Sequence, residues 1–201
     1  MEKIVISSGI STEEESKTLS LIYDTFSEKF KIGITNYNEF YKVFSSQCNF
    51  SICIAAYEGS ELIGILTYKD SDGEFFDVSL SKLFRSFNPF KAIKILINFA
   101  LLSHGVKGNE MYIDSVSVSP SHRGQGVGTK LLDAIEDLAM EKGKTILSLY
   151  VIGTNEGAKR LYERKGFVTV GEDKGYFVKK LTGAEKAYKM EKKLSPPTGG
   201  K

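Results

Sequence analysis

At 201 residues the chain has room for one sizeable core, and 41% hydrophobic with 26% charged residues is an ordinary globular balance. A formal net charge of +2 gives no general reason to expect a nucleic acid or a membrane as partner. Two cysteines, Cys48 and Cys53, are too few for a disulfide framework, and with His104 and His122 the only histidines, no metal site or histidine triad is expected.

Lys3 to Ser7 reads as a short first strand rich in Ile and Val. Met1-Glu2-Lys3 leads into too few apolar residues for a secretory signal, and two free thiols suit a reducing compartment, so the expected location is cytoplasmic. Ser11 or Thr12 can cap a helix whose first turn carries three glutamates, favoured by the helix dipole. Leu19, Ile22, Tyr23, Phe26 and Phe30 then recur at helical steps as a core face. Asn36 can cap a second, shorter helix through Phe40, Val43 and Phe44. Ser51 to Tyr57 and Leu62 to Tyr68 read as two strands joined by a turn at Glu58-Gly59-Ser60-Glu61.

Residues 72–109 break the strand pattern. Leu80, Leu83, Phe84 and Phe87 mark one short amphipathic helix. Asn88-Pro89 starts another, Asn as cap and Pro in the first turn, running to about Ser103 with Gly105 as its stop. Phe90, Ile93, Ile95, Leu96, Ile97, Phe99 and Leu102 surround a narrow polar stripe of Lys91, Lys94 and Asn98. A helix so apolar needs cover on more than one side, with Phe90 and Phe99 expected to face inward. Its apolar run is too short to span a bilayer.

Met111 to Val118 is the next strand, and Pro120 ends its ladder. There follows Arg123-Gly124-Gln125-Gly126-Val127-Gly128-Thr129, and then a helix with Val127, Leu131, Ile135 and Leu138 on one face. Three alternate glycines let the backbone pass close to a ligand, and N–H groups at a helix start attract an anion. The spacing fits neither a dinucleotide fingerprint nor a Walker loop. The helix stops at Lys142-Gly143, Ile146 to Ile152 is a strand, and Thr154 or Asn155 caps a helix from Glu156 to Lys165. Phe167 to Val170, Tyr176 to Leu181 and Ala187 to Leu194 read as closing strands, and 195–201 as a tail with no reason to fold. One domain is expected over 1–194, with 72–109 an insertion.

A V-x-V strand followed by R-x-x-G-x-G, Val116 to Gly128, resembles motif A of the GNAT superfamily of acyl-CoA-dependent N-acetyltransferases. The segment Leu149 to Phe167 resembles motif B of that superfamily, with Asn155, Ala158, Leu161, Tyr162, Gly166 and Phe167 in the expected places. The likeness is tight over 111–170, loose over 1–70 and absent from the insertion. It implies an α/β (α+β) fold: a mixed, mostly antiparallel sheet of about seven strands, helices on both faces, splayed between the fourth and fifth strands. The helical insertion would lie between the third and fourth.

The resemblance also implies acetyl-CoA as acyl donor, without a metal, and an amine acceptor, small molecule or protein. Cofactor contacts would come from Val116, Val118, Arg123, Gly124, Gln125, Gly126, Val127, Gly128, Thr129 and Asn155. The two parallel strands are expected to part where Pro120 and Gly153 interrupt pairing. Tyr162 stands where the family keeps its general acid. Asp114 shares alternation with Val116 and Val118 and is the candidate base, against a structural hydrogen-bonding role. Glutamates that serve as base in some relatives have no counterpart, since Tyr150 and Tyr112 occupy those positions. The chemistry implied is acetyl transfer by direct attack of a primary amine in a ternary complex; the alternative is a non-catalytic acyl-CoA sensor or interaction module. The insertion is expected to cap the acceptor side, or to serve as a homodimer contact, or to fill core space remote from the site.

Overall fold

The computed structural model describes residues 3–30, 33–102, 105–175, 178–179 and 183–195. Capping chemistry sets the element ends much as the sequence predicts. Ser11 accepts from the Glu13 N–H at a short 3-10 turn that opens α1, Glu15–Phe30. Asn36 accepts from the Glu39 N–H at 3.0 Å to start α2, Tyr37–Phe44. Asn88 accepts from the Lys91 N–H at 3.0 Å and Pro89 takes the first turn of α4, Pro89–Leu102, which follows α3, Leu80–Ser86.

The strands are β1 Ile4–Ser8, β2 Cys53–Glu58, β3 Glu61–Asp70, β4 Gly73–Glu74, β5 Glu110–Val118, β6 Ile146–Ile152, β7 Val168–Lys174 and β8 Lys186–Lys193. Helices α5, Val127–Glu141, and α6, Glu156–Arg164, flank β6 in sequence. Among the described residues the sheet order is β1-β2-β3-β5-β6-β8-β7, with β4 paired to β3. The two-residue β4 is a strand that the sequence does not predict, so the predicted fourth and fifth strands are β5 and β6. They form the parallel pair; the other pairings are antiparallel. The expected strand from Tyr176 to Leu181 falls largely outside the described residues, as does the tail from 196.

Each sheet face has its own core. On one side α5 and α6 pack Val127, Leu131, Leu132, Ile135 and Tyr162 onto Ile54, Leu66, Ile113 and Leu149. On the other, Leu19, Ile22, Phe40 and Phe44 of α1 and α2 pack on Cys53 and Ile65, and Leu83, Ala92 and Ile95 of the insertion join that layer. Phe26, Phe30 and Phe99 have side chains outside the described residues.

Two contacts fix α5 against the sheet. At its C-terminal end Lys142 donates to the fully buried Asp70 carboxylate at 2.7 Å and to Asp72 at 3.0 Å. At its start the helix lies almost on β3, because Gly64 has no side chain. A Cβ there would come within 2.8 Å of Val127 Cγ1 and 3.2 Å of Leu131 Cδ1. Those are core atoms of a β-branched and a buried residue, with little freedom to yield. Gly64→Ala is therefore expected to lower the unfolding free energy by about 1–3 kcal/mol in a denaturant titration. A variant as stable as the parent would show that the first turn of α5 can lift off the sheet without cost.

Candidate active site

The parallel β5–β6 ladder lasts from Glu110 opposite Ile146 to Ile113 opposite Leu149 and goes no further, although β5 continues to Val118 and β6 to Ile152. The divergence begins well before Pro120 and Gly153, where interrupted pairing was expected. Its cause lies in β5. Tyr68 pairs with Ile113 and Thr67 with Ser115, so β5 holds one extra residue, Asp114, against β3. A bulge bends the strand that carries it and sharpens its twist. Beyond it β5 stays with β3, while β6 stays paired with β8 along its whole length.

The bulge also corrects the expected alternation. Ile113 and Val116, three residues apart, both pack toward the α5 core, with Val118 beside them. Ser115 belongs to the other face, bonded to Thr67 at 2.7 Å. Asp114, half-buried, therefore does not belong to the Val116–Val118 series, because counting by twos fails across an inserted residue.

Where β6 departs, the outer edge of β5 is left facing a gap. Ser119 donates its N–H to Ile63 of the β3 edge at 2.9 Å, so the N–H groups of Val118 and Val116 point the opposite way. The Val118 carbonyl points with them and accepts from Arg123 Nε at 3.1 Å, which lays the Arg123 side chain along the opening.

The glycine loop closes one end of this gap. Gly124 and Gly126 have φ of 76° and 83°, in the left-handed region where a side chain is strained. Gly126 is the N-cap of α5 and has no side chain to satisfy the helix start. The first intrahelical bond runs from Lys130 N–H to Gly126 O, which leaves the N–H groups of Val127, Gly128 and Thr129 directed outward from the first turn. Gly128 does different work from the other two: a Cβ there would stand 3.1 Å from Leu161 Cδ2, so it is the point where α5 and α6 meet.

Gln125 Nε2 donates to Ser121 O at 2.8 Å, and His122 bridges Ser121 and Glu58, the latter at 3.2 Å. Sequence reasoning missed this His122–Glu58 tie of the loop to β2, and a separation of 64 residues carries no local signal for it. Outward N–H groups, open space beside Gly124 and Gly126 and a basic fork at Arg123 fit a diphosphate. Among the described residues no group of His, Cys, Asp or Glu could hold a metal ion.

On the α6 side, Asn155 caps the helix by accepting from Ala158 N–H at 3.1 Å. Tyr162 is buried with its ring 5.9 Å from that of Phe167, and burial pushes its phenol up to about 12. Tyr112, also buried, has its phenol raised first by desolvation and then by the charges of Asp114, Tyr150, Glu110 and Tyr162. Burial also raises Tyr150, with Asp173 of β7 contributing.

The insertion departs from expectation. Phe90 is 82% exposed and points away from the body, because Ala92 and Ile95 on the opposite side of α4 take the inner positions. Its packing is with the α1–α2 layer: Ile95 lies against Gly33, Lys91 pairs with Glu39, and Lys82 donates to Ser45 O.

The acetyltransferase (GNAT) family model matches residues 19–167. A thialysine N-epsilon-acetyltransferase from Bos taurus is 32% identical over 77 residues, 38% of this chain and 45% of that protein. A streptothricin acetyltransferase from Streptomyces lavendulae is 33% identical over 95 residues, 47% of this chain and 50% of that protein. The alignments thus span about half the length of these relatives. A solved acetyltransferase structure superposes with a TM-score of 0.63 at 20% identity, covering 95% of this chain and 100% of its own.

Gly126→Val places a β-branched residue at a left-handed φ on the edge of the candidate anion site. The acetyl-CoA dissociation constant from isothermal titration is expected to rise at least about tenfold. Unchanged affinity in a folded variant would mean that this loop does not hold the diphosphate.

Proposed function

The chain belongs to the acetyltransferase (GNAT) family, and on that premise we propose that it moves an acetyl group from acetyl-CoA to a primary amine, by direct attack within a ternary complex. The observation that carries this reading is the early end of the β5–β6 ladder, which leaves backbone donors of β5 facing a gap beside an uncapped helix start. Acetyl-CoA, when bound, supplies the acetyl group as a thioester. Every other part of the reaction falls to the chain.

The N–H groups from Val127 to Thr129 and the Arg123 fork would hold the diphosphate, with Gly124, Gln125 and Gly126 shaping the approach. Val116 and Val118 would hydrogen-bond an extended amide arm as a strand does, and Asn155, besides capping α6, would face it. The Val118 N–H would also donate to the carbonyl oxygen as negative charge develops there. Tyr162 would deliver a proton to the departing thiolate. Raised to about 12, its phenol keeps that proton at any working pH.

An alkylammonium ordinarily titrates near ~10.4, so the acceptor must first lose a proton. Asp114, half-buried at the bulge and close enough to Tyr112 to perturb it, is the carboxylate best placed to take it, directly or through water. Thialysine and streptothricin are named as the acceptors of the relatives above. A small molecule bearing a primary amine is the acceptor class those names favour here.

The direct test is a thiol-release assay over a panel of amines, with acetyl-CoA titrated separately. Binding without release for any amine would leave a sensor in place of an enzyme. Tyr162→Phe should lower turnover roughly ten- to a thousandfold with acetyl-CoA affinity little changed. In the parent, ionisation of this phenol should cost no activity until pH approaches 12, because burial favours the neutral form. Full turnover in the variant, with chemistry rate-limiting, would make Tyr162 a packing residue. Asp114→Asn should displace the acid limb of the pH–rate profile, and an unmoved limb would exclude Asp114 as base.

A further inference from the structure

Five of the large hydrophobic side chains exposed in the described structure belong to the α3–α4 hairpin: Leu80 at 58%, Phe84 at 43%, Phe90 at 82%, Ile93 at 47% and Ile97 at 51%. On α4 the pattern has a direction. Ala92 and Ile95 are buried against the α1–α2 layer, while Phe90, Ile93, Lys94 and Ile97 follow one another along the opposite face. That spacing makes one continuous stripe with a lysine set between apolar residues one turn either way. The stripe is unlike a core face, since it is turned to solvent and contains a cation.

The charge of the segment is as lopsided as its polarity. Between Asp77 and Glu110 the chain carries five cations, Lys82, Arg85, Lys91, Lys94 and Lys107, and no carboxylate. The other 22 Lys and Arg face 25 Asp and Glu, so the rest of the chain is at net −3 while this segment is at +5. The overall value of +2 hides both. Lys91 is paired with Glu39 and Lys82 with Ser45 O. Lys94 and Arg85 are exposed, and among the described residues neither has an ion pair.

We propose that the outward face of the α3–α4 hairpin docks on the surface of an anionic bilayer. Phe90, Ile93 and Ile97 would enter the headgroup boundary, and Lys94 and Arg85 would reach lipid phosphates and carboxylates. A lysine flanked by apolar residues suits that boundary, because its stem can lie among acyl chains while the ammonium reaches the headgroups. A two-fold contact between copies would bring like charges together, with no carboxylate on either hairpin to answer them. A single-sign surface without acids matches a continuous anionic plane better than the mixed rim of a protein partner. The helix lies on the membrane and does not cross it, having only 14 residues. The expectation of no membrane partner rested on the averaged charge, which conceals the charge of this segment.

The chain contains no tryptophan, so Phe90→Trp gives a single reporter at the N-terminal end of the stripe. With vesicles of 70% phosphatidylcholine and 30% phosphatidylserine, its emission should shift to the blue and be quenched by brominated acyl chains. Pure phosphatidylcholine vesicles should do this at least about tenfold more weakly, and 0.5 M salt should reverse most of the binding. Adding Lys94→Glu and Arg85→Glu to the reporter chain should weaken binding at least about tenfold, whereas Lys17→Glu, at an exposed position of α1, should not. A reporter that stays water-exposed with anionic vesicles overturns the proposal. So does a blue shift that appears without vesicles and grows with protein concentration, since a second copy would then be the cover. Equal response to neutral and anionic vesicles, or indifference to the charge reversals, would overturn it as well.

Discussion

Parallel strands that start as hydrogen-bonded neighbours must keep the same twist to remain so, and β5 and β6 do not. The extra residue at Asp114 bends β5 toward its antiparallel partner β3, while β6 follows β8. Ladder bonds lost in a sheet interior are costly, since each buried donor or acceptor without a partner is worth about 1–3 kcal/mol. A fold that tolerates the loss at one place has a row of polar backbone groups aimed at whatever enters there. In this family member the entering group would be the extended arm of acetyl-CoA, taking the place beside β5 that the diverging half of β6 leaves open.

The rest of the structure keeps that gap in shape. Gly64 lets the first turn of α5 lie on β3, and Lys142 on the buried Asp70 anchors the far end of the helix. The uncapped helix start is thereby held at the mouth of the divergence. Gly128 against Leu161 brings α6 alongside, and α6 carries Tyr162. His122, bridged to Glu58 and Ser121, ties the glycine loop to β2. None of these ties makes the chemistry. They hold donors and a proton-bearing phenol where a thioester could use them, and a site of that kind depends on prior placement.

Much of this was legible because it is local. Caps at Ser11, Asn36, Asn88 and Asn155 show their function within three residues, and helix and strand periods needed nothing distant. The glycine spacing at 124, 126 and 128 was visible too, but not that Gly128 serves helix packing while the other two serve backbone shape. The bulge was the main thing missed. A signal existed, since an aspartate inside a central strand is out of place by propensity, and Asp114 was read as chemistry on a regular strand rather than as a break in it. The outward turn of Phe90 was missed because a helix apolar all round offers no inner face to count from. There Lys94 between Phe90 and Ile97 was the available clue.

Amide-resolved NMR of the ¹⁵N-labelled chain, titrated with acetyl-CoA, tests the central claim at the atoms it names. At saturation the largest changes should fall on the N–H signals of Val116, Val118 and Gly126 to Thr129, with slowed hydrogen exchange at Val116 and Val118 as they gain acceptors. Tight binding that leaves those amides unchanged, with its effects elsewhere on the sheet, would contradict the assignment of the β5–β6 divergence as the acyl-donor site.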